Sequence, residues 1–213
     1  MIIHDCVQGT DEWHGLRAGR PTSSEFSKLI TGTGKASTSM KEYANKLATE
    51  KHLAGFGKKI VSGWQGNQYT DRGHELEPVS RADYEMSYQT PVQEVGFITD
   101  DLMRWGSSTD GLVGEDGVVE FKNLIETTFF SALVYWKQNG KTEPKYKPQC
   151  QGELMISERK WCDLVLFNPE YPAPIIERIY PDLEYQATLK LQLVACTLER
   201  DRLLKIVNGE ENG

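Results

Sequence analysis

The segment Asp110-Gly111-Leu112-Val113-Gly114-Glu115-Asp116-Gly117-Val118-Val119-Glu120-Phe121-Lys122 constrains this chain most, because a turn inside it decides which face three charged side chains share. Val118 to Lys122 is β-branched and alternates, so it reads as a strand with Glu120 and Lys122 on one face and Phe121 on the other. Glu115-Asp116-Gly117 suits a three-residue hairpin loop closed by a glycine in the left-handed region. That register sets Val118 opposite Gly114, Leu112 opposite Glu120 and Asp110 opposite Lys122. All three charged residues then lie on one side, looking into a cleft or solvent. A two-residue loop would send Asp110 to the other face.

Two carboxylates held close together repel, unless a cation lies between them or one is protonated. Hard oxygen ligands without a nearby histidine or cysteine point to magnesium or manganese, with the Phe121 carbonyl as a further candidate ligand. Such an ion polarises a phosphoryl oxygen and activates water. Lys122 could orient or deprotonate that water, or steady charge gathering on a phosphate. The alternative is a solvated hairpin with ordinary surface charges. The Asp/Asn spacing of an EF-hand is absent.

A chain of 213 residues, 38% hydrophobic, can bury one substantial core, so a single domain over 1–213 is expected. Without a long apolar run or a signal-like N-terminus, a soluble cytoplasmic protein is expected. Cys6, Cys150, Cys162 and Cys196 show no metal or disulfide spacing and read as small buried hydrophobes. The net charge of -7 does not exclude a nucleic-acid partner, since that affinity depends on local basic clusters. Candidate clusters are Arg17 with Arg20, Lys28 with Lys35, Lys58 with Lys59, and Lys141 with Lys145 and Lys147.

Helices are expected at Glu12 to Ala18, at Ser23 to Ile30 with Thr22 as a possible N-cap, and at Ser39 to Ala54. Thr31 to Ser37 reads as a loop whose glycines do not match a phosphate-binding Walker motif, and Gly55 to Gly66 is turn-rich. Tyr69 to Tyr88 reads as a helix that Pro78 should kink or restart. Strands follow at Val92 to Ile98, Arg104 to Ser108, Gly111 to Val113 and Val118 to Lys122. Helices at Thr127 to Gln138 and Tyr146 to Ile156 come next, then strands at Trp161 to Phe167 and Ile175 to Tyr180. A long helix from Asp182, ending about 205–207, closes the chain. This order predicts an α/β fold, a central mixed β-sheet flanked by helices.

An acid, about ten residues, then E-x-K resembles the PD-(D/E)xK nuclease superfamily with its restriction-endonuclease-like core, carried here by "SSTDGLVGEDGVVEFKN". Together with "EWHGLRAGRPTSSEFSKLI" (12 to 30), "RGHELEP" (72 to 78) and "KPQCQGELMISERKWCDLVLFNP" (147 to 169), it is similar to phage lambda exonuclease and YqaJ-type viral recombinase nucleases. The resemblance covers 11 to about 170. Thr109 stands where the family pattern has proline.

The resemblance implies that Asp110, Glu120 and the Phe121 carbonyl hold metal, that Lys122 is the catalytic lysine, and that Glu77 is the helix-borne acid beside the ions. It implies magnesium, with manganese possible, at two ions per site. Arg17, Ser24 and Ser108 match its 5'-phosphate pocket, where an arginine fork and two hydroxyls suit the oxygens. A glutamine of the later helix should face the site; Gln149 and Gln151 are both available, and Gln151 aligns better. Lys35 and Trp64 are candidate DNA contacts, Trp64 by stacking; the other tryptophans, Trp13, Trp105, Trp136 and Trp161, read mainly as core. The implied activity is 5'-to-3' digestion of one strand of duplex DNA, leaving a 3' overhang for phage-type recombination. A ring-shaped homotrimer and a single-strand annealing partner are implied with it. An endonuclease or junction resolvase on the same fold, or a DNA-binding protein with a vestigial site, is the alternative.

Overall fold

The computed structural model describes residues 1–58 and 68–210, without the side chains of 68–71 and 74. Trp64, Lys59 and most of the turn-rich Gly55 to Gly66 segment lie outside the described residues. Within them, the strands are β1 (Ile2–His4), β2 (Val92–Gln93), β3 (Phe97–Thr99), β4 (Gly106–Ser107), β5 (Gly111–Val113), β6 (Gly117–Asn123), β7 (Trp161–Phe167) and β8 (Ile175–Ile179). The helices are α1 (Asp11–Arg17), α2 (Met40–Gly55), α3 (Gln68–Tyr88), α4 (Glu126–Asn139), α5 (Lys147–Ser157) and α6 (Leu183–Val207), with 3-10 turns at Ser23–Lys28 and Pro144–Tyr146.

The hairpin forms, with its loop one residue earlier than expected. Val113 pairs with Gly117 and Gly111 with Val119, so the loop is Gly114-Glu115-Asp116. Gly114, at φ 55°, takes the left-handed conformation assigned above to Gly117. Gly117 is held in the strand because the Trp161 ring lies over it; a Cβ there would come within 2.2 Å of the indole. The displaced register keeps the two-residue parity of a strand, so Asp110 stays on the face of Glu120 and Lys122. It now stands opposite Glu120 instead of Lys122, one step beyond the Gly111–Val119 pair.

A five-stranded mixed sheet in the order β2-β5-β6-β7-β8 carries this hairpin near its centre. β6 runs antiparallel to β5 and parallel to β7, and α4 and α5 form the crossover that a parallel pair requires. One face of β6 sets Val118 into a core shared with Phe26, Leu154, Leu164 and Leu189. Its other face sets Val119 and Phe121 against Tyr84 of α3. Glu120 and Lys122 thus look onto α5, with Glu120 buried and Lys122 partly exposed.

Three expectations are corrected. Val92 to Ile98 is two strands, not one: β2 joins the larger sheet, and β3 joins a small sheet in the order β1-β3-β4. The Gln8 amide bridges the Val95 and Thr109 carbonyls (3.0 and 3.1 Å) and ties the break to the N-terminal segment. β1 is too short to carry a periodic signal. Of the two outcomes expected at Pro78, a kink or a restart, the restart does not occur: α3 runs on as one helix whose following turns are anchored, Ser80 being buried and Tyr84 donating to Asp163 at 2.7 Å. Thr22 flanks its 3-10 turn without a side-chain cap, its hydroxyl accepting instead from Arg17.

α6 begins where Asp182 accepts from the Tyr185 N–H at 3.0 Å, and it buries Tyr185, Leu189, Leu193 and Cys196 in the core that α2 fills with Tyr43 and Leu47. Among the described residues, no helix is long and apolar enough to cross a membrane.

Asp163 is fully buried on β7, held by the Arg178 fork (both contacts 2.8 Å) and by Tyr84. Arg178→Met would leave that carboxylate with Tyr84 as its one remaining side-chain donor among these, and is expected to cost about 3 kcal/mol in urea unfolding. A loss under about 1 kcal/mol would mean that solvent already screens the pair.

Candidate active site

Strand parity and a single helix face assemble the charged cluster. Asp110 Oδ2 accepts from the Phe121 N–H at 2.7 Å, which clips the start of β5 to β6. Thr109, in the position the family pattern gives to proline, is buried and donates to the Val119 carbonyl at 3.2 Å, reinforcing the same clip. Glu120 is 3% exposed. Its Oε1 accepts from Lys122 Nζ at 2.7 Å and from Gln149 Nε2 at 2.6 Å. Gln149 returns its Oε1 to Lys122 Nζ at 2.9 Å, and its Nε2 reaches Glu153 Oε1 at 2.9 Å.

A second group of residues converges beside the first. The Arg17 guanidinium donates to Ser108 Oγ at 2.7 Å and to Thr22 Oγ1 and Ser24 Oγ at 3.4 Å each, and lies over the Trp13 ring at 4.2 Å. Trp13 Nε1 also donates to Ser108 Oγ, at 2.9 Å. Arg17 Nε is buried without a hydrogen-bond partner. Burial pulls the Arg17 pKa below its ordinary value, against the raising influence of Tyr43, Glu25 and Glu50. A planar cation with hydroxyls at its tips suits an oxyanion. One cleft of about 390 Å³ is lined by Arg17, Ser24 and Ser108 and, continuously with them, by Asp110, Glu120, Lys122 and Gln149.

Residues 12–160 match the YqaJ-like viral recombinase domain. The chain belongs to the YqaJ-like viral recombinase family. Its fold is similar to the crystal structure of an alkaline exonuclease, LHK-Exo, from Laribacter hongkongensis, at TM-score 0.80 and 27% identity, covering 94% of this chain and 97% of that one. The same enzyme in complex with dAMP matches at TM-score 0.79 with the same identity and coverage. A phage related exonuclease from Haemophilus somnus 129PT shares the fold at TM-score 0.68 and 15% identity, covering 91% and 99% of the two chains. No curated protein matches.

Within this YqaJ-like chain, Asp110, Glu120, Lys122, Arg17, Ser24 and Ser108 line one cleft. Glu77 lies on α3 and lines a neighbouring cleft of about 640 Å³, which meets the first at Gln8, Trp13 and Asp110. It is paired with Arg81 at 2.7 Å and acts electrostatically on Asp110. Gln151 is a correction. Its amide is spent on the Tyr180 carbonyl and the Asp182 N–H, both at 2.8 Å, tying α5 to the start of α6. Residues two apart on a helix diverge by about 200°, so Gln149 and Gln151 cannot both face the sheet. Gln149 does.

Lys35 is exposed and does not line the cleft; its loop is closed on itself by Thr31, whose N–H donates to the Lys35 carbonyl at 2.8 Å. Trp105 is core, as expected, whereas Trp13 is a site residue that reading it as core missed. The signal was its place four residues before Arg17, one helical turn away. Thr22 and Glu153 were missed as well, and Glu153 had the same kind of signal, standing four residues after Gln149 on one face.

The donors fit a hard divalent ion. Glu120 Oε2 is buried and has no partner, while Oε1 already holds Lys122 and Gln149. A residue's N–H and C=O share one edge of its strand, so the Phe121 carbonyl faces the same edge as the N–H that meets Asp110. Among the described residues, no cluster of three acidic, histidine or cysteine side chains would ligate an ion alone. Asp110, Glu120 and this carbonyl would hold it together with water.

Burial, then Glu120 and Glu77, push Asp110 well above the ordinary carboxylate range, against Lys122 and the Phe121 N–H. Burial and Glu120 raise Glu153 likewise. For Lys122 burial works toward the neutral form, but Glu120 and Asp110 outweigh it and raise the pKa above its ordinary value. Carboxylate repulsion of this kind is relieved by a neutral amide. Asp110→Asn is therefore expected to melt higher than wild type in a chelator, by the equivalent of about 1 kcal/mol. Magnesium or manganese is expected to raise the melting temperature of wild type but not of this variant. A wild-type melting curve indifferent to both ions would remove the ion from the site.

Proposed function

We propose that this protein is a magnesium-dependent 5'-to-3' exonuclease that digests one strand of linear duplex DNA from a 5'-phosphorylated end, leaving 3' overhangs for recombination by strand annealing. The observation that carries this reading is the single cleft in which the Arg17 receptor abuts the Asp110, Glu120 and Lys122 cluster. Ser108 belongs to the receptor and stands two residues before Asp110, so an end phosphate bound there lies beside the acidic cluster. A terminal phosphate monoester carries more negative charge than an internal phosphodiester, so such a receptor favours an end over an internal site. Membership of the YqaJ-like family and the likeness to an alkaline exonuclease support the reading.

The roles follow from the chemistry of each group. Arg17, with Ser24, Ser108 and Trp13 around it, grips and orients the terminal phosphate, which holds the next phosphodiester over the cluster. Asp110, Glu120 and the Phe121 carbonyl would hold the magnesium. When bound, that ion supplies Lewis-acid polarisation of the phosphoryl oxygen and an activated water. Lys122, whose ammonium donates to Glu120 and Gln149, would present it to the phosphate oxygen where charge builds. Gln149 holds the ammonium from the other side. The family resemblance also supports a ring-shaped homotrimer around the duplex, a single-strand annealing protein as partner, and a second ion close to Glu77.

Magnesium-dependent digestion of linear duplex with 5'-phosphate or 5'-hydroxyl ends, set against closed circular DNA, tests this. Phosphorylated ends are expected to be cut faster, and closed circles not at all. Arg17→Ala should reduce the end preference about tenfold or more, because a charge-assisted grip is lost. Asp110→Ala should abolish turnover while still binding duplex. Cleavage of closed circles, or equal activity of wild type and Lys122→Ala, would sink the proposal.

A further inference from the structure

We infer that Glu153 is a positioning residue that fixes the orientation of the Gln149 amide and, through it, the place of the Lys122 ammonium beside Glu120. Its mechanistic consequence rests on the nuclease reading above; its structural content does not.

The Gln149 side chain presents a carbonyl at one end and an amino group at the other. Observed, the carbonyl faces the Lys122 ammonium at 2.9 Å, and the amino group faces two carboxyls, Glu120 at 2.6 Å and Glu153 at 2.9 Å. Turning the amide over would set its N–H groups against the ammonium and its oxygen against both carboxyls. All three contacts would be lost or reversed in sign. Glu153 supplies the second acceptor on the amino side, one helical turn beyond Gln149, so both residues move as one rigid face of α5.

Packing alone does not account for an acid at this position. Glu153 is completely buried beside Cys150 and Cys162 of the core; its Oε2 accepts from the weak donor Cys162 Sγ at 3.7 Å, and its carboxyl also faces that of Glu120, which opposes its ionisation. An apolar side chain would fill that space without the penalty of desolvating a carboxyl. Glu153 does not line the cleft, so it meets DNA only through Gln149. The consequence reaches Glu120. With Lys122 drawn toward the Gln149 carbonyl, the ammonium engages Glu120 Oε1 alone and leaves Oε2 unpartnered. A lysine freed from the amide could swing onto Oε2, the oxygen an ion would need.

The test compares Glu153→Met, which keeps the volume and removes the acceptor, with Glu153→Gln, which keeps an acceptor oxygen. Glu153→Leu repeats the comparison if methionine disturbs folding. Glu153→Met is expected to lower kcat about tenfold with KM for duplex ends and the 5'-phosphate preference unchanged, and Glu153→Gln to recover most of that loss. In a Gln149→Ala background, Glu153→Met should have less than about twofold further effect, because it acts through that amide.

A readout independent of activity is hydrogen exchange at the Gln149 side-chain amide, assigned by its absence in Gln149→Ala. Exchange should be slow in wild type and Glu153→Gln and fast in Glu153→Met. A purely structural role predicts the reverse ranking, with the apolar variant intact and Glu153→Gln impaired. Unchanged amide exchange in folded Glu153→Met, or a full tenfold loss persisting in the Gln149→Ala background, would overturn the inference. Wild type that cuts no DNA would overturn the nuclease reading instead, and the amide exchange would still decide this one.

Discussion

The electrostatic repulsion between Asp110 and Glu120 organises everything around it. Both acids stand on one face of the hairpin, at the cleft, with Glu120 buried and Asp110 partly exposed. Burial and mutual repulsion make the pair unfavourable by itself. The surroundings answer in three ways. Lys122 supplies a positive charge, the Phe121 N–H and the Gln149 amino group supply donors, and a divalent ion would balance the remaining charge. The fold accepts a costly cluster at the centre of its main sheet because the two faces of β6 are otherwise anchored in apolar packing, Val118 on one side and Val119 with Phe121 on the other.

The Arg17 group, proposed to receive the phosphate, depends on the cluster's placement rather than on its charge. Arg17 lies at the last turn of a seven-residue helix that buries none of its own residues. It is positioned by what it touches: the Trp13 ring beneath it, Ser108 at its tip, and the Thr22 and Ser24 hydroxyls alongside. Ser108 in turn follows β4, whose partner β3 is paired with β1. The small sheet thus carries one half of the cleft, and the large sheet carries the other. End recognition and bond cleavage would be coupled by the short segment from Ser108 to Asp110 that joins the two sheets.

Much of this was legible in the chain. The sheet's later strands and the helices around them follow from periodicity, and β5 and β7 have the expected bounds. The family motifs located Arg17, Ser24 and Ser108, which are unremarkable residues singly. The errors have local causes. The hairpin loop lies one residue from where local rules set it because both Gly114 and Gly117 can take positive φ, and the choice between them belongs to the Trp161 ring from another strand. The apolar pattern of Val92 to Ile98 runs on like one strand, while its hydrogen bonds are divided between two sheets.

By itself the sequence determined that Asp110, Glu120 and Lys122 share a face, since a strand's period of two makes that conclusion survive the register change. It also determined that the pair requires a counter-charge, because carboxylate repulsion does not depend on the rest of the fold. Only the tertiary structure decided which glutamine serves the site. A helix turns about 100° per residue, and the choice between Gln149 and Gln151 is made by the side of α5 that rests on the sheet. Likewise, only packing brings Arg17 to Ser108 across 91 residues of chain, because no local rule relates a short N-terminal helix to the end of a strand so far along.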